Sequence, residues 1–252
     1  MACPVLWLNK RQGVPERPRV FHPALLAGSA FHAGMEAYLS GGTPQQALEA
    51  AVARDWPEGD TEGLSQEKVC ATVLLGLHSA YEHLGDLAPE GILGCEVRLS
   101  GPEEEAERHG RYAGTADLVY EAQGQLVVTD YKTHWNRDLR YIDADLRNTQ
   151  RSWQLRQYAW YAQEYYGKEV KEISKLLVYF TPRLKSWRVS YPVTQEGLKS
   201  WYAQAQEVWY QMDTLAGLGP HLAPVPWQNE AMCERYGWQH RCSYYDTCWE
   251  GV

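Results

Sequence analysis

Gly114-Thr115-Ala116-Asp117-Leu118-Val119-Tyr120-Glu121-Ala122-Gln123-Gly124-Gln125-Leu126-Val127-Val128-Thr129-Asp130-Tyr131-Lys132-Thr133 reads as a β-hairpin. Two runs rich in Val, Tyr and Thr flank a polar turn containing Gly124. With the turn centred on Gln123-Gly124, residues whose numbers sum to 247 face each other, so Asp117 meets Asp130. Side chains alternate along a strand, which puts Asp130 and Lys132 on one face. Carboxylates directly across a strand pair repel. A hard divalent cation offsets that repulsion, since Mg²⁺ takes one or two carboxylate oxygens together with phosphate and water. The competing reading is an edge hairpin with solvated charges.

Upstream of the hairpin, residues 1–18 read as irregular. A helical pattern runs from Pro23 to about Leu39 and stops at Gly41-Gly42. Gly28, His32 and Glu36 share one of its faces, and a glycine one turn before the histidine lets another backbone approach. A lone helical histidine is more often structural or on the surface. Thr43-Pro44 has the form of an N-cap and first helical residue, opening a second helix through about Trp56. Ser65 can cap a third, whose Val69, Val73, Leu77, Ala80, Tyr81 and Leu84 fit a 3.6 period, with Cys70 as packing. From Ile92 the pattern alternates as a strand does. Glu96 on that strand is placed to approach the two aspartates; the plain alternative is a solvated strand glutamate.

Downstream, residues 134–152 read as an irregular segment whose arginines and aspartates nearly cancel. It is either a guide for a nucleic-acid strand or a salt-bridged loop. A helix follows from Ser152 to about Tyr166, ended by Gly167. Gln154 and Tyr158 sit one turn apart on it and can hydrogen-bond a phosphate if that face looks at the hairpin. Strands over Leu176–Phe180 and Trp187–Tyr191 come next. Thr194 then caps a long helix, with Leu198, Trp201, Ala205 and Trp209 inward.

Composition bounds the function. The 252 residues suit one globular chain, and 44% hydrophobic content excludes disorder. A net charge of −8 argues against a protein that coats nucleic acid by bulk charge, though not against a local basic groove. The aromatic set is 11 Trp and 17 Tyr against 3 Phe, a bias toward rings with a polar handle that also stack on unpaired bases. With no signal-peptide core and no apolar run of spanning length, a cytoplasmic location and no membrane partner are expected. The Gly-x4-Gly-Lys-Ser/Thr loop of helicases and ATPases is missing.

Gly28-x3-His32-x3-Glu36, Gly114-x2-Asp117, Asp130-x-Lys132 and Gln154-x3-Tyr158 follow one another in the order and rough spacing of the RecB-like nucleases. Taken together they resemble that branch of the PD-(D/E)XK superfamily, which includes exonuclease-like proteins of phages and of CRISPR spacer acquisition. Ala116 stands where the superfamily signature has proline, which this branch commonly lacks. The resemblance implies an α/β, restriction-endonuclease-like core: a mixed central sheet flanked by helices, with a helical N-terminal part and a cysteine-containing tail. On that reading residues 1–252 form a single nuclease domain, with a helical part at 19–91, the catalytic sheet and helix at 92–192, and the last helix and tail at 193–252. Asp117, Asp130 and Lys132 match the catalytic residues. His32, Asp117 and Asp130, with Glu96 as a further candidate, would bind Mg²⁺ or Mn²⁺. Gln154 and Tyr158 match the motif that contacts the DNA strand.

The implied activity is that of a metal-dependent deoxyribonuclease, an exonuclease, acting on DNA that is single-stranded or has free ends. Repair or recombination beside a separate helicase would be its setting, in a cell's cytoplasm or, if phage-encoded, that of the host. The rivals are a silent DNA-binding or assembly module of the same fold, and a nuclease for RNA or branched DNA. Cys3, Cys233, Cys242 and Cys248 have the distribution of an iron–sulfur cluster in this branch, although Cys233-x8-Cys242 departs from its usual Cys-x2-Cys. A zinc site completed by His240 or Cys3, and unligated cysteines, remain the alternatives.

Overall fold

A computed structural model of the chain describes residues 23–53, 66–84, 87, 89–100, 113–135, 142–180 and 184–218. By its internal contacts the chain divides into two units, Phe21–Tyr202 and a second made of Met1–Val20 with Ala203–Val252. The sheet and the site below belong to the first.

Helices come first, as their periodicity predicts. α1 spans Pro23–Leu39, α2 Pro44–Val52 and α3 Gln66–Glu82. α2 starts with a reciprocal cap: Gln46 N–H donates to Thr43 Oγ1 at 3.2 Å, and Thr43 N–H donates to Gln46 Oε1 at 2.8 Å. It ends at Val52, earlier than the sequence suggests, and Trp56 lies outside the described residues. The apolar stripe of α3 is buried as expected at Val69, Val73, Leu77 and Ala80, with Leu84 just beyond the helix.

Five strands form one sheet in the order β1-β2-β3-β4-β5. They are β1 Ile92–Ser100, β2 Ala113–Ala122, β3 Gln125–His134, β4 Val170–Tyr179 and β5 Lys185–Pro192. Only the β3–β4 pair is parallel. A parallel neighbour needs a crossover, here made by α4 (Ile142–Gln150) and α5 (Trp153–Tyr166). The mixed sheet flanked by helices is the expected α/β core. Phe31 and Met35 of α1 and Val73 and Leu77 of α3 form one core with Tyr120, Val127, Tyr131, Leu176 and Val178 of the sheet. α5 buries Leu155, Ala159 and Ala162 on the other side of the sheet.

Two local expectations need correction. The segment 134–152 is not wholly irregular, because α4 occupies Ile142–Gln150. Asp143, Asp145, Asn148 and Thr149 interrupt its helix formers and hide a nine-residue helix that tertiary contact supports: Tyr191 of β5 donates its hydroxyl to Leu146 O at 3.2 Å. β4 starts at Val170, six residues before the apolar run that marks it, because Lys171, Glu172 and Lys175 interrupt its pattern. α6 (Gln195–Leu218) begins with the predicted cap, Thr194 Oγ1 accepting from Gly197 N–H at 3.0 Å. In its first turns Trp201 meets Trp153 edge-on and Tyr202 stacks on Trp160 with centroids 4.3 Å apart.

Candidate active site

The hairpin turn is where the sequence puts it. Gln123 and Gly124 both have positive φ, +54° and +77°, the pattern of a type I′ turn that matches strand twist. Every β2–β3 pair obeys the expected sum, from Ala122↔Gln125 to Leu118↔Thr129. Among the described residues the pairing stops there, one step before Asp117 and Asp130. β2 goes on pairing with β1 as far as Ala113↔Ser100, and β3 with β4 as far as His134↔Tyr179. The sheet therefore forks, and the two aspartates stand on either side of the opening. Asp117 Oδ2 accepts the backbone N–H of Tyr131, so a side chain takes the place of a ladder bond at the crotch of the fork.

The other oxygen of Asp117 faces α1. His32 Nδ1 lies 3.3 Å from Asp117 Oδ1 and 3.1 Å from Glu96 Oε1. Gly28, one turn earlier, lets the helix close on β3, since a Cβ there would sit 3.1 Å from Thr133 Oγ1. Glu96 reaches the site through an unusual backbone: within β1 it has φ +49°, a conformation that non-glycine residues rarely adopt and that concentrates at functional sites. Burial by itself would lower the pKa of His32. Hydrogen bonds and charge from Asp117 and Glu96 outweigh it and push the imidazole up to about 10. One N–H is thus shared between two carboxylates. Nδ1 and an oxygen of each acid all lie within 4.8 Å of one another. These two separations come within a few tenths of an ångström of neighbouring corners of an octahedron around Mg²⁺, about 3.0 Å apart for bonds of ~2.1 Å. The donor set fits a divalent cation in place of the shared proton.

Asp130 lives differently. It is 2% exposed, and Oδ1 accepts from Lys132 Nζ at 2.9 Å. Oδ2 is buried without a hydrogen-bond partner among the described residues. Burial raises its pKa, Lys132 opposes that, and repulsion from Asp117 adds to it. A buried carboxylate oxygen left bare is costly, so this atom too calls for a cation. Lys132 holds that carboxylate while its own side chain stays 40% exposed. Lys175 of β4 stands in register with Asp130 and also favours its charged form.

α5 supplies the last pieces. Gln154 Nε2 donates to the Tyr158 hydroxyl at 2.7 Å. Tyr158 is buried, and burial together with the negative charge of Asp130, Asp117 and Glu96 raises its pKa, so it stays a donor. Gly114 is what admits it, because a Cβ at that position would collide with the Tyr158 ring. The structure thus brings His32, Glu96 and Asp117 together as one donor group, sets Asp130 and Lys132 as a pair on the other arm of the fork, and places Tyr158, held by Gln154, within reach of the acids' charge. Asp130 is not a member of the three-donor group. Cys3, Cys233, Cys242 and Cys248 lie outside the described residues, while Cys70 and Cys95 are free thiols. Lys175 escaped notice in the sequence; its signal was a lone lysine in the apolar half of a buried strand.

Comparison with known proteins bears on the family and the fold. The family model of the PD-(D/E)XK nuclease superfamily matches residues 1–248. Among solved structures, a putative exonuclease from Eubacterium rectale superposes with a TM-score of 0.54 at 14% identity, covering 100% of this chain and 82% of its own. The structure of SSO0001 aligns at 13% identity over 81% of this chain and 84% of its own, with a TM-score of only 0.26. No curated protein matches.

Proposed function

The chain belongs to the PD-(D/E)XK nuclease superfamily, and on that premise we propose that it is a divalent-metal-dependent DNA nuclease, an exonuclease, working at the fork between β2 and β3. The observation that carries the proposal is the convergence of His32, Glu96 and Asp117 beside a buried aspartate with one bare oxygen. His32, Glu96, Asp117 and Asp130 would hold Mg²⁺ or Mn²⁺. Bound there, the ion would acidify a water and offset the charge that builds on the phosphate.

The chain's own residues do the rest. Asp117, pinned by Tyr131 N–H, fixes the position of the site relative to β3. Lys132, anchored on Asp130, presents an ammonium to the attacking water and to the developing phosphate charge. Because Gln154 donates to Tyr158, the tyrosine keeps its own proton to offer to a phosphate oxygen. In the reaction water adds to phosphorus and the bond to one sugar oxygen breaks. A phosphate monoester and a free hydroxyl result, and the water's proton passes to the leaving oxygen through solvent.

The substrate of this reading is DNA with a free end or unpaired strand, and unwinding would come from a separate helicase. A single nuclease domain over 1–252 is part of the same proposal and is supported by the reach of the family match. For Cys3, Cys233, Cys242 and Cys248 the resemblance supports metal ligation, with iron–sulfur and zinc as the two chemistries. Iron and zinc analysis of the purified chain, with its visible absorption, separates them. Among the described residues no helix is long and apolar enough to cross a membrane.

The test is cleavage of end-labelled single- and double-stranded DNA, and of RNA, with Mg²⁺ or Mn²⁺, comparing the native chain with Lys132→Ala. Metal-dependent cutting of DNA that is lost in the variant supports the proposal, and a ladder starting at one end supports exonucleolytic action. A folded, metal-binding chain that cuts none of them is a binding module instead.

A further inference from the structure

The face of the sheet that carries Asp130 and Lys132 does not end at the catalytic fork. Residues in register across β3, β4 and β5 share a face, and two rows continue outward from the site: Lys132–Leu177–Trp187 and His134–Tyr179–Lys185. Their rings are in contact. His134 lies 4.7 Å from Tyr179 by centroid, and Trp187 meets Tyr179 edge-on at 5.5 Å. Tyr179 is fully buried beneath them, whereas His134 and Trp187 are only partly buried. Lys185 is exposed, and its ammonium stands 6.0 Å from the centre of the Trp187 ring. The hydrogen bond that ties β5 to α4 is made by Tyr191, toward the other end of the strand.

From this arrangement we infer that the surface formed by His134, Trp187 and Lys185 is a stacking platform for one unpaired strand of nucleic acid leading to or from the catalytic fork. The inference rests on the nuclease reading and sharpens it by naming the substrate form. Three observations bear on the occupant. The platform is continuous with the site, since His134 is two residues from Lys132 on the same strand and face, roughly 7 Å away. Among the described residues the charges at its edges, half-buried Lys132 and exposed Lys185, are both cations in a chain of net charge −8, so they are local and not part of a general basic surface. Its apolar component is aromatic, which stacks with any base but finds no open base face on the side of an intact duplex. A peptide or a lipid has no need of cations spaced around flat rings. A paired duplex would meet the lysines and leave the rings idle.

The test measures binding apart from cutting. Fluorescence anisotropy of a labelled oligo-dT and of a blunt duplex, with Ca²⁺ in place of the active metal, would compare the native chain with Trp187→Ala, Trp187→Phe and Lys185→Ala. Trp187→Ala is expected to weaken oligo-dT binding about tenfold, with duplex binding unchanged, and Trp187→Phe to retain most of the affinity. For Lys185→Ala the slope of log affinity against log salt should shrink by about 0.7 on the single strand. Native single-strand affinity in Trp187→Ala, or equal losses for single strand and duplex, overturns the platform. Should Trp187→Ala fail to fold, the exposed Lys185 decides, and an unchanged salt slope overturns it equally. Cleavage run alongside keeps the two readings apart. Cutting that ignores these substitutions leaves the nuclease without the platform, and selective single-strand binding without any cutting leaves the platform without the nuclease.

Discussion

Asp117 and Asp130 are the first residues past the last β2–β3 pair, one on each arm of the fork, yet their surroundings are opposite. Asp117 has its needs met: one oxygen holds the Tyr131 N–H and the other shares the His32 proton with Glu96. Asp130 is buried deeper, is hydrogen-bonded to Lys132 with Lys175 adding its charge, and keeps one oxygen bare among the described residues. One side of the site is therefore occupied by a proton, and the other is left wanting a charge. A cation entering the fork must displace the first and would satisfy the second. The two sides should respond to mutation, pH and metal in different ways.

The largest expected effects are on catalysis. Asp117→Asn removes a donor and frees His32 from half of its restraint, so metal binding measured by calorimetry should be lost together with cleavage. Lys132→Ala should lower kcat by about 10²–10³, the range seen when one charge-stabilising donor is removed, while metal still binds. If both variants lost metal equally, the division between a metal-holding side and a charge-stabilising side would be wrong.

Next comes the proton itself. His32 has its pKa raised from 6.5 to about 10 in the folded, metal-free chain. Its contribution to stability is thus complete below about 6.5 and disappears as the pH climbs through about 10. At neutral pH a metal must release that proton. Calorimetry in buffers of different ionisation enthalpy should show about one proton released per ion, with apparent affinity rising with pH. His32→Ala should abolish the release. For Asp130 the sign is reversed. Its raised pKa means that ionisation opposes folding, and the opposition fades as the pH falls through its folded value. Asp130→Asn is accordingly expected to stabilise the metal-free chain by about 1 kcal/mol and to forfeit part of the stabilisation that metal confers, both readable as chemical denaturation with and without chelator.

These contrasts also mark what the sequence could disclose. The turn at Gln123-Gly124 fixes the hairpin register because turn geometry and alternation are local rules, and every observed pair follows from it. That the pairing would stop at Leu118↔Thr129 is not local: it depends on Asp117 reaching Tyr131 N–H and on β1 and β4 drawing the strands apart. Glu96 was visible as an acid on the right strand. Its left-handed backbone, which brings the carboxylate to His32, was not, since nothing in Cys95-Glu96-Val97 announces a positive φ. α4 was hidden for the reverse reason: its two aspartates, Asn148 and Thr149 dilute the helix formers among its nine residues, and its support comes from β5, far along the chain. Lys175 becomes meaningful only once the parallel register sets it beside Asp130.

The smallest effect tests whether α5 serves the fork or merely covers it. Tyr158→Phe deletes the hydroxyl that Gln154 now donates to, without disturbing the ring that rests on Gly114. Loss of one hydrogen bond is worth about 1 kcal/mol, and Gln154 is exposed enough to turn to water. Folding stability should therefore change little. If the hydroxyl holds a phosphate oxygen equally in the bound and transition states, KM should rise several-fold and kcat stay near its native value. A fall in kcat at constant KM would instead make Tyr158 a partner of Lys132 in stabilising the developing charge, shifting it from the strand-holding side of the site to the chemical one. Gln154→Ala discriminates further. It leaves the Tyr158 hydroxyl in place but unsupported, so it should reproduce the direction of Tyr158→Phe at lower amplitude if the two residues act as one contact.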